Sequence, residues 1–305
     1  MYIYTYASHE EEAALCQLEL HILFGELAQG GVVCSSIKLS VDRSPFIKRR
    51  IAAELQADSF EELLLKLPSI ELDGKTFKVL YTSGDDSFHY DERRQLERAA
   101  GAVIRGTADM RRAERLFGLM KLNGRWYFGE AADNNALWLK HQSKPQNYST
   151  ALPTRAARAI VNLAAGSEIS SQRLIDPCCG MGTVLIEALS MGIDIEGMDL
   201  NPLAVKGARV NLAHFGYPDR VRLGDMRLLK ENYDAAIVDM PYNLCSVLPE
   251  SEQLLMLESL RKYAKRAVIV TTQPIGRQLE LASWDLKKSI TLSKASFTRY
   301  ISVVE

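Results

Sequence analysis

Between residues 173 and 239 the chain runs four times into the same ending, a short apolar or β-branched run closed by an aspartate: "RLID", "IDIEGMD", "VRLGD" and "AAIVD". Helical patterns separate or follow them, "TVLIEALSM", "PLAVKGARVNLAHF" and "LLMLESLRKYA", before a further run "AVIVTT". Strands that alternate with helices need crossover connections, so the pattern predicts a doubly wound, mostly parallel sheet. The punctuation agrees. Gly192 and Gly216 fall where helix C-caps belong, and Asn201-Pro202 reads as an N-cap followed by proline at the first helical position. Two last runs, "LKKSITL" and "FTRYISVV", predict a terminal hairpin that joins the same sheet.

The first 150 residues lack this rhythm. A strand-like "MYIYTYA", helix-like stretches from Glu10 to Phe24 and from Ser44 to Leu55, and a strand "TFKVLYT" predict a smaller α+β domain. The polar "HQSKPQNYSTALP" precedes a helical "TRAARAIVNLAAG", which places a linker at 141–152 between domains at 1–140 and 153–305.

The loop in "LIDPCCGMGTVLIEA" joins a strand to a helix through Gly180-x-Gly182. Glycines at such a bend let a ligand approach backbone amides at a helix N-terminus. A dinucleotide fingerprint would need a glycine at Leu185, and no Gly-Lys-Ser/Thr follows, so neither a dinucleotide nor a P-loop ligand suits the motif. Asp176 at the strand end would repel a pyrophosphate and attract a cation. S-adenosylmethionine has no phosphate, a positive sulfonium and a protonated amino group, and it fits. Asp199, ending the next strand, is placed to accept from both ribose hydroxyls, and Asp225 to accept the adenine amino group beside the Met226 amide. Asp239 ends the fourth strand. One aspartate at a strand end is usually a turn or cap; four in succession at the carboxyl edge line a ligand crevice.

Composition narrows the partners. The whole chain carries a formal charge of −1, so a nucleic acid would have to meet a local patch. Residues 91–125 hold nine Lys or Arg (Arg93, Arg94, Arg98, Arg105, Arg111, Arg112, Arg115, Lys121 and Arg125) against five acids. This segment is either a solvated face or a phosphate-contacting patch, with Arg105, Arg111, Arg112 and Arg115 as RNA-binding candidates. Five cysteines at irregular spacing make neither a disulfide framework nor a zinc pattern, and no apolar run approaches the roughly 20 residues of a membrane span. We expect a cytoplasmic protein with no metal. His141 and His214 show no partner in the sequence and are expected at the surface or in the linker.

The segments "DPCCGMGTVLIEA", "GMDLNPLAVKGARVNL", "GDM" and "DMPY" resemble the S-adenosylmethionine-dependent amino-methyltransferases, in particular RNA guanine-N2-methyltransferases whose loop reads DPxCGxGTxxIEA. "FGLMKLNGRWYFGE" and "KPQNYSTALPTRAARAIVNLA" are similar to segments of the THUMP-bearing tRNA methyltransferases. The resemblance implies a Rossmann-like class I methyltransferase with a seven-stranded sheet, preceded by a ferredoxin-like and THUMP-like region that holds tRNA. It implies cofactor contacts from Asp176, Cys178, Gly180, Gly182, Thr183, Asp199, Leu200, Asp225 and Met226, and a catalytic tetrapeptide of Asp239, Met240, Pro241 and Tyr242. The family's tetrapeptide has proline where Met240 stands.

Amino methylation is a problem of the acceptor, because the lone pair of a guanine or adenine amino nitrogen is delocalised into the ring. A carboxylate and a backbone carbonyl side by side can each take one amino hydrogen, roles for Asp239 and Met240, while Tyr242 stacks on a base drawn out of its helix. Pro241 holds Met240 near extended geometry, so replacing the family's proline is expected to cost about 0.4–1 kcal/mol of restraint and to leave the enzyme active. Cys245, three residues after Tyr242, is the nucleophile that carbon methylation of a pyrimidine would need; we read it as incidental. The main expectation is methylation of guanosine N2 in tRNA. The alternatives are a DNA adenine or protein amide methyltransferase and a non-catalytic RNA-binding protein with a degenerate methyltransferase fold.

Overall fold

The computed structural model describes residues 1–26, 28–148, 151–241, 249–294 and 297–305. In the first half, strand β1 (Tyr2–Tyr6) is followed by helix α1 (Ala13–Phe24), strands β2 (Val32–Ser35), β3 (Ile47–Ala52) and β4 (Leu55–Ala57), helix α2 (Phe60–Lys66), strand β5 (Phe77–Tyr81), helix α3 (Tyr90–Val103) and strands β6 (Arg115–Leu122) and β7 (Arg125–Asp133). The second half holds helices α4 (Trp138–His141) and α5 (Thr154–Ala165), then β8 (Arg173–Asp176), α6 (Thr183–Ser190), β9 (Asp194–Asp199), α7 (Pro202–His214), β10 (Val221–Leu223), β11 (Tyr233–Asp239), α8 (Glu250–Tyr263), β12 (Ala264–Thr271), α9 (Gly276–Leu281), β13 (Leu286–Lys294) and β14 (Phe297–Val304).

The chain forms two compact units. The first comprises residues 1–7, 26–41 and 46–135; the second comprises 8–25, 42–45 and 136–305. The boundary expected at 141–152 lies close to the main division at 135/136, but a single cut misses two N-terminal stretches that pack with the second unit. In the first unit a seven-stranded sheet has the order β2-β1-β3-β7-β6-β5, with β4 also on β7, and only β5 and β6 run parallel. Phe77, Phe117, Phe128 and Trp126 are buried at its centre, with the Phe117 and Phe128 rings stacked 5.2 Å apart. The stretch from Ser44 to Leu55, which reads as helical, is strand β3 instead. Its buried Ile47 and Ile51 are four apart, a spacing that suits one face of a helix and one face of a strand alike, and pairing with β1 and β7 decides between them.

The second unit is built on the sheet order β10-β9-β8-β11-β12-β14-β13. The first five strands are parallel, and β14 is antiparallel to both of its neighbours. This is the doubly wound sheet with a closing hairpin that the alternation predicts. Asn201 caps α7, its side chain accepting from the Leu203 amide, and Pro202 follows at the first helical position. Helix α1 rests on α5 and β13, burying Leu15, Leu18, Leu20, Leu23 and also Glu19.

Helix α5 is buried along nearly its whole length, so its polar side chains need internal partners. Arg158 donates to Glu187 Oε2 at 2.6 Å, to Ser190 Oγ at 2.8 Å and to the Asp42 carbonyl. His141 Nδ1 meets the other Glu187 oxygen at 2.7 Å, so His141 is buried beside α6 rather than exposed in a linker. Asn162 donates to Glu19 Oε1 at 2.6 Å, Ser44 donates to Glu19 Oε2 at 2.5 Å, and Arg43 donates to Asn162 Oδ1. Burial holds the Glu19 carboxyl up, at about 7, against these hydrogen bonds.

Candidate active site

At the carboxyl ends of β8, β9, β10 and β11 lies a cleft of about 800 Å³, inside the size range of cofactor pockets. Asp176, Cys178, Gly180, Thr183, Asp199, Leu200, Asp225, Met226, Asp239, Met240 and Pro241 all line it. Gly182 stands just behind, as the N-cap of α6. The structure therefore gathers at one site nearly every cofactor and catalytic position singled out in the sequence. Tyr242 and Cys245 fall outside the described residues.

The loop after β8 explains its glycines. Gly182 has φ +78, and a Cβ there would sit 3.3 Å from the Ala208 Cβ, so the α6–α7 approach as well as the backbone favours glycine. Gly180 has φ +51 and faces open space, leaving its backbone accessible from the cleft. Its amide donates to Asp199 Oδ2 at 2.8 Å, and the Asn201 amide donates to Asp199 Oδ1 at 2.8 Å. Asp199 thereby ties the glycine loop to the start of α7. Asp176 is buried and accepts from the Cys178 amide at 3.2 Å; burial, then the neighbouring Asp239 and Asp199, push its carboxyl well above the usual range. The Cys178 thiol is likewise pushed up by burial, which argues for a packing role beside Met226 Sδ, 3.7 Å away.

Asp225 is engaged within the chain in a way that the sequence does not show. Its carboxylate is held by Arg227, with Nε at 2.9 Å from Oδ1 and Nη2 at 2.6 Å from Oδ2, which lowers its pKa. Arg227 also reaches Glu252 of α8 at 3.7 Å, and both line the cleft. Sequence reading missed this pair, along with Tyr148 and Met256, because neither the "GDM" motif nor helical periodicity signals a side chain folded back over its neighbour.

Asp239 is the opposite case. Its Oδ1 is buried with no hydrogen-bond partner among the described residues, and burial raises its carboxyl to about 7, opposed by the charge of Arg299. Next to it, the Met240 amide donates to the Val270 carbonyl at 2.9 Å, extending the β11–β12 ladder by one residue. A proline at 240 would have no N–H to give. Methionine replaces ring restraint with a sheet hydrogen bond, and its side chain is buried in the core. The expected loosening is thus offset.

Of the basic candidates, Arg105, Arg111 and Arg112 are exposed in the first unit, where the Arg111 and Arg112 amides close a turn on Asp109. Arg115 is committed to the fold: it donates to the Glu71 carbonyl at 2.5 Å and lies over the Phe117 ring at 4.9 Å.

Residues 141–282 match the model of the UPF0020 family, described as an RMKL-like methyltransferase domain. Over 180 residues the chain is 31% identical to the tRNA (guanine(10)-N2)-dimethyltransferase of Methanothermobacter thermautotrophicus, covering 55% of this chain and 53% of that protein. Over 116 residues it is 36% identical to the protein of the same name from Pyrococcus abyssi, covering 36% of this chain and 34% of that one. The chain thus spans between a third and about half the length of these curated relatives. The crystal structure of TrmN from Thermus thermophilus aligns with 100% of this chain and 99% of its own at TM-score 0.50 and 15% identity, a likeness of fold. With the strand order above, the second unit is a Rossmann-like class I methyltransferase fold. Among the described residues no helix is long and apolar enough to cross a membrane, and no group of three or more His, Cys, Asp or Glu could hold a metal ion.

Proposed function

We propose that the protein is an S-adenosylmethionine-dependent methyltransferase acting in the cytoplasm on an exocyclic amino group of RNA, with N2 of guanosine in tRNA as the target. The observation that carries this reading is Asp239: a buried carboxyl oxygen without a partner among the described residues, at the edge of a cleft whose other carboxyls are engaged. The names of the curated relatives support guanine N2 and tRNA.

The cleft fits the cofactor by its own chemistry. Gly180 leaves its backbone open beside the cleft at φ +51, and the carboxyls of Asp176, Asp199 and Asp239 line it, where a bound sulfonium and ammonium would favour their ionised forms. Asp199, with Leu200 beside it, would hold the ribose; Asp225 and Met226 the adenine; Asp176, Cys178, Gly180, Gly182 and Thr183 the amino-acid end. When bound, the cofactor supplies a methyl group on an already activated leaving group. The chain's work lies at the acceptor. Asp239 Oδ1 accepts one amino hydrogen and the Met240 carbonyl the other, which localises the nitrogen lone pair, and Tyr242 stacks on the base. With its pKa near 7, Asp239 is also matched to take the proton that the amino nitrogen releases. The first unit serves in this reading as a THUMP-type RNA-binding module, with Arg105, Arg111 and Arg112 meeting phosphates and Arg115 bracing the sheet beneath them.

Incubation with methyl-labelled cofactor and unmodified tRNA, followed by digestion to nucleosides, tests it. Label in N2-methylguanosine is expected. Label in another nucleoside would move the substrate assignment, and cofactor binding without transfer to RNA would favour the degenerate, non-catalytic alternative.

A further inference from the structure

The terminal hairpin carries a residue that the four strand-end aspartates do not reveal. Across the sheet, Asp239 lies opposite Val270 of β12, and Val270 lies opposite Ile301 of β14. Because β14 runs antiparallel, residues before Ile301 extend toward the carboxyl edge of the parallel strands, and Arg299 falls one step beyond the Thr271–Tyr300 pair. Arg299 and Ile301 share a face, being two apart. With β11 and β14 two strand spacings apart and Arg299 offset from Asp239 by two residues along the strand, the two backbones are about 12 Å apart, a gap that an extended arginine and an aspartate side chain together largely cover.

The side chain is placed to do so. Arg299 is 8% exposed, its guanidinium lies 4.5 Å from the centre of the Phe297 ring, and Nη2 donates to the Ala151 carbonyl at 3.5 Å. Ala151 and Leu152 line the same cleft as Asp239, just before α5. The other titratable groups at this edge are the acids Asp176 and Cys178 after β8, Asp199 after β9, Asp225 after β10 and Glu252 of α8, together with Arg227, whose charge is taken up by Asp225 and Glu252. Each of these acids disfavours a further negative charge. Arg299 acts on Asp239 with the opposite sign, its charge opposing the rise that burial causes. A protonated Asp239 would present a donor to an amino group that has only hydrogens to give.

We propose that Arg299 is a positioning residue for the acceptor end: it favours the ionised form of the Asp239 carboxyl against the effect of burial and, through the Ala151 carbonyl, ties that form to the segment leading into α5. The proposal rests on the reading of Asp239 as the amino-hydrogen acceptor, and it can be tested apart from that reading. Protein labelled with 13C at the aspartate carboxyls is titrated, with Asp239→Asn identifying the Asp239 signal. Its midpoint is expected near 7 in the parent protein, about one unit or more higher in Arg299→Gln, and close to the parent in Arg299→Lys. Phe297→Leu, which removes the ring under the guanidinium but keeps the strand apolar, gives a smaller shift in the same direction and serves if the glutamine variant misfolds. Methyl transfer in Arg299→Gln should fall about tenfold near pH 6.5 and recover at high pH, with cofactor affinity within about twofold of the parent. An unmoved Asp239 midpoint in the folded variants overturns the proposal. A moved midpoint in a protein that transfers no methyl group would leave the Arg299–Asp239 pairing standing and overturn the function instead.

Discussion

Asp199 and Asp239 end two of the four apolar runs in the same way in the sequence, yet their carboxyls are held in opposite ways. Asp199 has an amide on each carboxylate oxygen, from Gly180 and Asn201, and so builds the loop that it belongs to. Asp239 is half-buried, with its buried Oδ1 lacking a hydrogen-bond partner among the described residues and its carboxyl raised to about 7. A satisfied carboxylate stabilises the fold and shapes a binding surface; an unsatisfied one costs stability and is available to a substrate. The cleft thus has a structural end and a reactive end, and the contrast can be broken by substitution.

At the structural end the expected effect falls on the fold and on cofactor binding together. Asp199→Ala removes two charge-assisted hydrogen bonds and should cost about 2–3 kcal/mol of stability, read from urea unfolding, with cofactor affinity down tenfold or more by calorimetry. An unchanged unfolding midpoint would mean that the glycine loop is held by something else. Away from the cleft, Glu19 is buried with its carboxyl raised to about 7 from a usual 4.5. A raised carboxyl stabilises the fold fully below the unfolded value and loses that contribution as pH climbs through about 7. The parent should therefore lose stability between pH 5 and 8, and Glu19→Gln, which can keep the Ser44 and Asn162 contacts, should remove a share on the order of 3 kcal/mol. Equal pH slopes in the two proteins would refute the assignment. The smallest effect concerns Arg227. Freeing Asp225 by Arg227→Ala should tighten cofactor binding about two- to fivefold, whereas weaker binding would make Arg227 itself a cofactor contact.

The alternation of strands and helices was legible from residue 173 onward because crossovers impose it, and the strand-end aspartates marked the cleft before any coordinates. What the sequence hid were relations between distant positions. Helix α1 belongs to the second unit because Leu15, Leu18 and Glu19 face α5 and β13, a fact of packing that no local pattern encodes. His141 looked unpartnered because Glu187 is 46 residues away. Ile47 and Ile51 were misread because their spacing serves two periodicities. Asp225 and Asp239 looked alike because the sequence lists side chains without their partners. Met240 was read as a loosened proline, whereas its amide is what the sheet uses.

The most direct test of the division between the two ends is Asp239→Asn, measured twice on the same preparation: cofactor affinity by calorimetry, and single-turnover methyl transfer to unmodified tRNA. The account predicts affinity within about twofold of the parent and transfer slower by about a thousandfold, within the range that a positioned acid-base group contributes. Transfer at the parent rate, or an equal loss of affinity and transfer, would contradict it.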